Sequence, residues 1–168
     1  MIQYTGEHLL WGQFGQFFIV LAFTAALLSA IAYLFDTYSK NPNPNWKRLG
    51  RVGYVLNGFS VVAIFAILYY LIYNHYFEYY YVWHHSSTTL PMQYIFACFW
   101  EGQEGSFLLW TFWHVVLAAV VIRTSKAWES SVMSIIMLVQ VFLGSMVLGV
   151  WLGDVHIGSN PFILLRNH

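Results

Sequence analysis

Four stretches of this sequence are apolar for long runs without an Asp, Glu, Lys, Arg or Pro, and that property decides most of what the chain can become. They lie near Phe14 to Phe35, Val52 to Tyr73, Ser106 to Ile122 and Val132 to Leu152. A helix needs about 20 apolar residues to cross the hydrocarbon core of a bilayer, and backbone in lipid must satisfy its own hydrogen bonds. The expected fold is an all-α integral membrane protein: four transmembrane helices in a single membrane domain over residues 1–168, with a long outer loop, residues 74–104, containing a short interfacial helix.

Composition makes a soluble alternative untenable. Apolar residues form 59% of the chain and charged ones 8%, against about 25% charged in an ordinary soluble domain. The formal net charge is zero and no basic run occurs, so no nucleic-acid partner is expected. The partner that composition implies is the lipid bilayer.

Orientation follows from the cations. Lys40, Lys47, Arg48 and Arg51 fall between the first two spans, and Arg123 and Lys126 between the last two, leaving Arg166 on the other side. The positive-inside rule then makes the six-cation face cytoplasmic. The N-terminus, the 74–104 loop and the C-terminus are expected outside, in the periplasm if the membrane is a bacterial inner membrane. Glu7 rather than a cation precedes the first span, unlike a cleavable signal peptide, so that span is expected to remain as a helix.

Two rows of small residues mark where helices can approach. Ala22, Ala26 and Ala30 form one, and Ser145, Gly149 and Gly153 the other; such spacings are the common interface device in lipid, where no hydrophobic force drives helices together. The connection from Asp36 to Arg51 carries Asn-Pro-Asn-Pro, a helix-stopping turn, and a Lys-Arg cluster suited to an anionic leaflet.

The outer loop differs in kind. It begins with Glu78-Tyr-Tyr-Tyr-Val-Trp83, aromatics that suit an extended segment or an interfacial girdle. Thr88 to Pro91 then reads as the start of a short helix, Met92 to Trp100, apolar all round and suited to the bilayer surface. Glu101 to Ser106 reads as a flexible polar turn ahead of the third span, with carboxylates and a Ser cap favoured by the exposed amides of a helix start.

Ser86 to Pro91 (SSTTLP), Trp100 to Trp110 (WEGQEGSFLLW) and Ser159 to Phe162 (SNPF) resemble, in order and spacing, the N-terminal portion of the CcmF-type cytochrome c haem lyases. The W-x-G-x-E-G-S-x-L-L-W run is the most specific part. The resemblance implies membership of the haem-handling membrane proteins of bacterial cytochrome c maturation, with haem as cofactor and with apocytochrome c and other maturation membrane proteins as partners. It implies a part in joining haem vinyl groups to the Cys thiols of CxxCH motifs outside the membrane. The outer vestibule candidates it marks are Ser86, Leu90, Pro91, Trp100, Gly102, Glu104, Gly105, Ser106 and Trp110. In that family haem sits under a Trp-rich, Asp-containing motif, and later His residues ligate iron; this sequence has neither that motif nor the several hundred further residues. The expectation is a fragment that needs a C-terminal haem lyase portion as partner and is not active alone.

Two histidines are candidate haem or proton-relay groups. His85, beside His84, lies in the outer loop, and the pair His85-Ser86 resembles the family's H-S-N with Ser87 in place of Asn. His114 falls mid-span, where an ionisable group invites a functional reading but a hydrogen bond to Asn57, Ser60 or Gln140 would satisfy it. No metal site and no catalytic residue is assigned. A lone Cys98 excludes a CxxC reductant and a CxxCH acceptor, and no Ser-His-Asp or HExxH pattern appears. The alternative function is a non-catalytic scaffold subunit of a larger oxidoreductase or transporter complex.

Overall fold

The computed structural model describes residues 6–39, 43–152 and 155–167. Lys40 and Gly153, both used in the reading above, lie outside them. Four helices are long and apolar enough to cross a membrane: α1, Leu9–Tyr38; α2, Pro44–Tyr73; α5, Gln103–Thr124; and α6, Glu129–Leu148. With those four spans, this is a multi-pass membrane protein. At about 1.5 Å per residue α1 and α2 exceed the ~30 Å hydrocarbon thickness, so their end turns reach the headgroups. The start of α2 is locally encoded: the Asn43 side chain accepts from the Asn45 amide at 3.0 Å, and Pro44 follows at the first helical position.

α1 packs most closely on α2 and then on α6, α6 covers α5, and α5 meets α2 over a smaller area. Small residues set the closest approaches. Ala22, Ala26 and Ala30 are all buried. The Ser29 hydroxyl donates to the Gly50 carbonyl at 2.7 Å, and a Cβ on Gly53 would stand 2.9 Å from that of Ser29. Polar groups add direction where lipid supplies no hydrophobic force. The Asn57 amide donates to the Ala22 carbonyl at 2.9 Å; the Gln140 amide donates to Asn57 Oδ1 at 3.3 Å and to the Thr111 carbonyl at 3.0 Å. One mid-bundle network thus touches α1, α2, α5 and α6.

A second polar cluster closes the end bearing the cations. Glu129, fully buried at the start of α6, receives Arg51 Nε and Nη2, both at 2.7 Å, and Lys47 Nζ at 3.1 Å. The Tyr33 hydroxyl approaches the same carboxylate at 3.4 Å.

Several sequence expectations need correction. The last span ends at Leu148 rather than Leu152: Gly149 takes the left-handed conformation, φ 71°, that stops helices. Gly149 is therefore a helix stop, and the Ser145 hydroxyl turns back to the Phe142 carbonyl. Gly144 faces Phe23, which a Cβ there would meet at ordinary van der Waals distance. After the stop, β1 (Val150–Leu152) and β2 (Val155–Ile157) pair antiparallel, a small hairpin that the sequence did not announce, appended to the helical bundle. The outer loop holds α3 (Tyr80–His85), α4 (Met92–Ile95) and a 3-10 turn, Ala97–Phe99. The aromatics of Tyr80 to Trp83 are helical, because tertiary packing overrides β-propensity. Pro91 sits at the N-cap of α4.

Candidate functional site

At the end of the bundle away from the cations, all four long helices meet the 74–104 loop and the segment after β2, and this is where the motif residues gather. Tyr81 is the pivot. Its buried hydroxyl donates to the Phe99 carbonyl at 2.7 Å and stands 3.3 Å from that of Cys98, binding α3 to the 3-10 turn. Burial raises the pKa of this hydroxyl, so it remains a protonated donor.

The glycines of the W-E-G-Q-E-G-S run have a steric reason to be there. A Cβ on Gly105 would collide with the Phe99 carbonyl oxygen and the Tyr81 hydroxyl. One on Gly102 would come within 2.6 Å of the Tyr81 ring and 2.7 Å of His85 Nε2. Glu101 to Ser106 is thus no flexible turn: Gly102 is the N-cap of α5, and Gln103 to Ser106 form its first turn with Glu104 facing the helix dipole. Ser106 is not the cap; its hydroxyl donates to the Trp100 carbonyl at 3.1 Å.

The Ser-Asn-Pro-Phe segment clamps the other side. Asn160 Oδ1 accepts from the Phe162 amide at 2.9 Å, and the Phe162 ring lies so close to α1 that a Cβ on Gly15 would be 2.5 Å from it. Tyr79 fills the matching space over Gly12, whose amide donates to the Tyr79 hydroxyl at 2.9 Å. The Tyr80 amide donates to the Ile163 carbonyl and the Leu165 amide to that of Glu78, so α3 is stitched along its start to residues 163–165.

Three clefts open between these parts. One of 370 Å³ is lined by His84, His85, Ser86, Leu90, Cys98 and Glu101, among others. A second, of 530 Å³, is walled by Phe65, Phe96, Trp100, Phe112 and Trp113 with Val62 and Leu109. The third, of 560 Å³, lies between α1 and the last segment, with Gln13, Gln16, Asn160 and Arg166 on its walls. Arg166 pairs with Glu7 at 3.0 Å.

The structure brings His85, Ser86 and Leu90 to the first cleft and Trp100 to the second. Pro91 and Glu104 flank them, while Trp110, 56% exposed, lines neither. Burial, with His84 adding, lowers the His85 pKa against the opposing pull of Glu101 and Glu104, so the imidazole is neutral at pH 7. Burial raises the Cys98 thiol, which disfavours the thiolate. Among the described residues no three His, Cys, Asp or Glu side chains stand close enough to hold a metal ion. His114 does not reach Asn57, Ser60 or Gln140. Its Nδ1 is 2.8 Å from the Trp110 carbonyl one turn earlier, while Asn57 Oδ1 accepts from the Gln140 amide and the Asn57 amide donates to the Ala22 carbonyl.

Over its whole length the chain superposes on a solved structure of cytochrome c haem lyase CcmF, with TM-score 0.76 and 22% identity. The chain has the CcmF fold. It covers 27% of that longer chain, an extent consistent with an N-terminal portion. No family model and no curated protein matches it. The CcmF likeness spans all the elements above, including the loop and the segment that clamps it. Sequence reasoning missed Tyr79 and Tyr81, the two residues on which that clamp turns. Their signal was present in the Tyr run at 79–81, which pattern alone assigns to an extended segment or an interfacial girdle.

Proposed function

We propose that this chain is the N-terminal part of a membrane haem lyase and forms one wall of the outer vestibule in which haem and apocytochrome c meet. A role in cytochrome c biogenesis is the general reading that the CcmF likeness supports. The observation that carries the finer reading is the convergence of three motif segments, the last separated from the others by most of α5 and all of α6, on one end of the bundle around Tyr81, Gly105 and Phe162. In this reading that end faces the periplasm of a bacterial inner membrane, with both termini there.

The residues present fit haem in part. The aromatic cleft offers Trp100, Trp113, Phe96 and Phe112 to a flat apolar macrocycle. No histidine lines it, so the iron ligands belong to another chain segment. Haem, when bound, supplies the vinyl groups to which cysteine thiols add. The work of this chain is positional: Tyr81 holds the 3-10 turn and with it Trp100, and Gly102 and Gly105 let α5 start hard against that turn. Positioning of this kind contributes several kcal/mol to a bimolecular step, but one wall of a vestibule does not complete the geometry. The chain therefore needs the remainder of the lyase as partner.

The test is reconstitution in a strain lacking its haem lyase, with residues 1–168 expressed alone and with a complementary C-terminal portion. Covalent haem on a CxxCH reporter is expected only from the pair, and Trp100→Ala is expected to reduce it by removing aromatic surface. Covalent haem from the chain alone would overturn the divided reading. Full activity without the chain would leave it a scaffold subunit.

A further inference from the structure

A fourth, smaller cleft lies between α2 and α5, toward the end of the bundle that bears the cations. It measures 230 Å³ and is lined by Tyr54 of α2 and by Ala119, Ile122 and Arg123 of α5. We infer that this groove is a binding site for one anionic phospholipid, with an acyl chain against Tyr54, Ala119 and Ile122 and the head phosphate on the Arg123 guanidinium.

The floor of the groove is built by sequence spacing. Ala119, Ile122 and Arg123 lie three and four residues apart and so share one face of α5, and the methyl group of Ala119 leaves the space that a larger side chain would fill. The wall is fixed, because the Tyr54 hydroxyl donates to the Val115 carbonyl at 2.9 Å and holds the ring across the gap. Arg123 ends the apolar part of α5 one residue before its last, Thr124, which puts its charge at headgroup depth while the groove runs inward along hydrocarbon.

Charge selects the occupant. The guanidinium of Arg123 is exposed, and the contact found for it is a long one, 3.5 Å, to the Ala119 carbonyl. The carboxylates at this end are engaged elsewhere: Glu129 by Arg51 and Lys47, and Asp36 by the Ser130 hydroxyl. An arginine at the mouth of an apolar groove between helices matches a phosphodiester with a tail, since Arg forms bidentate hydrogen bonds with phosphate. A zwitterionic lipid brings a compensating ammonium, and an acidic peptide leaves the apolar groove unfilled.

The test is native mass spectrometry of the full chain after delipidation and exposure to phosphatidylglycerol or phosphatidylethanolamine. One phosphatidylglycerol per chain is expected to be retained, roughly five-fold more tightly than phosphatidylethanolamine, the scale of one Lys or Arg at a membrane surface. Arg123→Gln should remove that preference and Ala119→Trp should block retention with the charge untouched. Lys126→Gln, which keeps the groove and removes a neighbouring exposed charge, should leave retention unchanged. Equal loss in the Lys126 and Arg123 variants would overturn the site in favour of diffuse attraction. Retention by Ala119→Trp, or equal retention of both lipids, would overturn it as well. Because haem attachment is read separately, failure here leaves the vestibule reading untouched.

Discussion

The Arg51 guanidinium meets the Glu129 carboxylate edge on, two nitrogens to two oxygens, each at 2.7 Å. This joins the first turns of α2 to the start of α6, two elements that the sequence separates by the whole outer loop and α5. The carboxylate is fully buried while the arginine is 47% exposed, so the acid depends on the pair more than the base does.

Arg51→Met should therefore destabilise the bundle by about 2 kcal/mol, below the 3–5 kcal/mol typical of breaking a fully buried pair because Lys47 remains. Adding Glu129→Met to it should recover part of the loss, since no buried charge is then left unpaired. Thermal unfolding in detergent for the two single variants and the double variant measures the coupling. A double variant as unstable as the sum of its singles would show that the two side chains act independently.

The outer turn should respond to methyl groups in a graded way. Gly105→Ala drives a Cβ into the Phe99 backbone and should cost about 3 kcal/mol, the upper end for overpacking. Gly102→Ala meets the Tyr81 and His85 side chains, which can move, and should cost about 1 kcal/mol. Limited proteolysis of the 74–104 loop reports both. Equal effects at the two glycines would mean that the Phe99 carbonyl is not fixed.

Acid should loosen the same loop. The His85 pKa in the folded chain lies below its usual 6.5, so the unfolded loop binds a proton first as pH falls. The stability present above about pH 6.5 is then lost progressively as pH drops from that value toward the lower folded pKa. Hydrogen exchange of residues 80–105 should be faster at pH 5.5 than at pH 7.5, and His85→Gln should flatten that difference.

Topology is open to direct chemistry. With Cys98 replaced by Ser, a membrane-impermeant thiol reagent on intact cells is expected to label cysteines placed at Ser87 or Ser159 and to spare one at Asn43. Labelling at Asn43 alone would invert the orientation.

The four long helices were legible because lipid leaves so few backbone solutions that a run of apolar residues suffices. Gly149 was misread for the same reason: apolar residues continue to Leu152, and only the left-handed backbone at Gly149 reveals the stop. Glu129 precedes the apolar run that begins at Val132 and carries no sequence signal of burial, since its burial depends on Lys47 and Arg51 of α2. In the site, Gly102 and Gly105 could be singled out by resemblance, whereas their purpose required knowing that Tyr81 and Phe99 would lie against them. The separation of His85 and Trp100 into different clefts is likewise a matter of tertiary direction that residue spacing does not encode.

The stitching of residues 160–165 onto α1 and α3 also sets an order of events. Phe162 seats on Gly15, and the Leu165 amide reaches back to Glu78, yet these residues leave the ribosome after all four helices have been synthesised. The bundle can insert while its outer end is still open. Only when residues 160–165 dock can the 74–104 loop be drawn down and locked, so closure of that end reports that the fourth helix and the segment after it have reached the same end of the bundle as the loop.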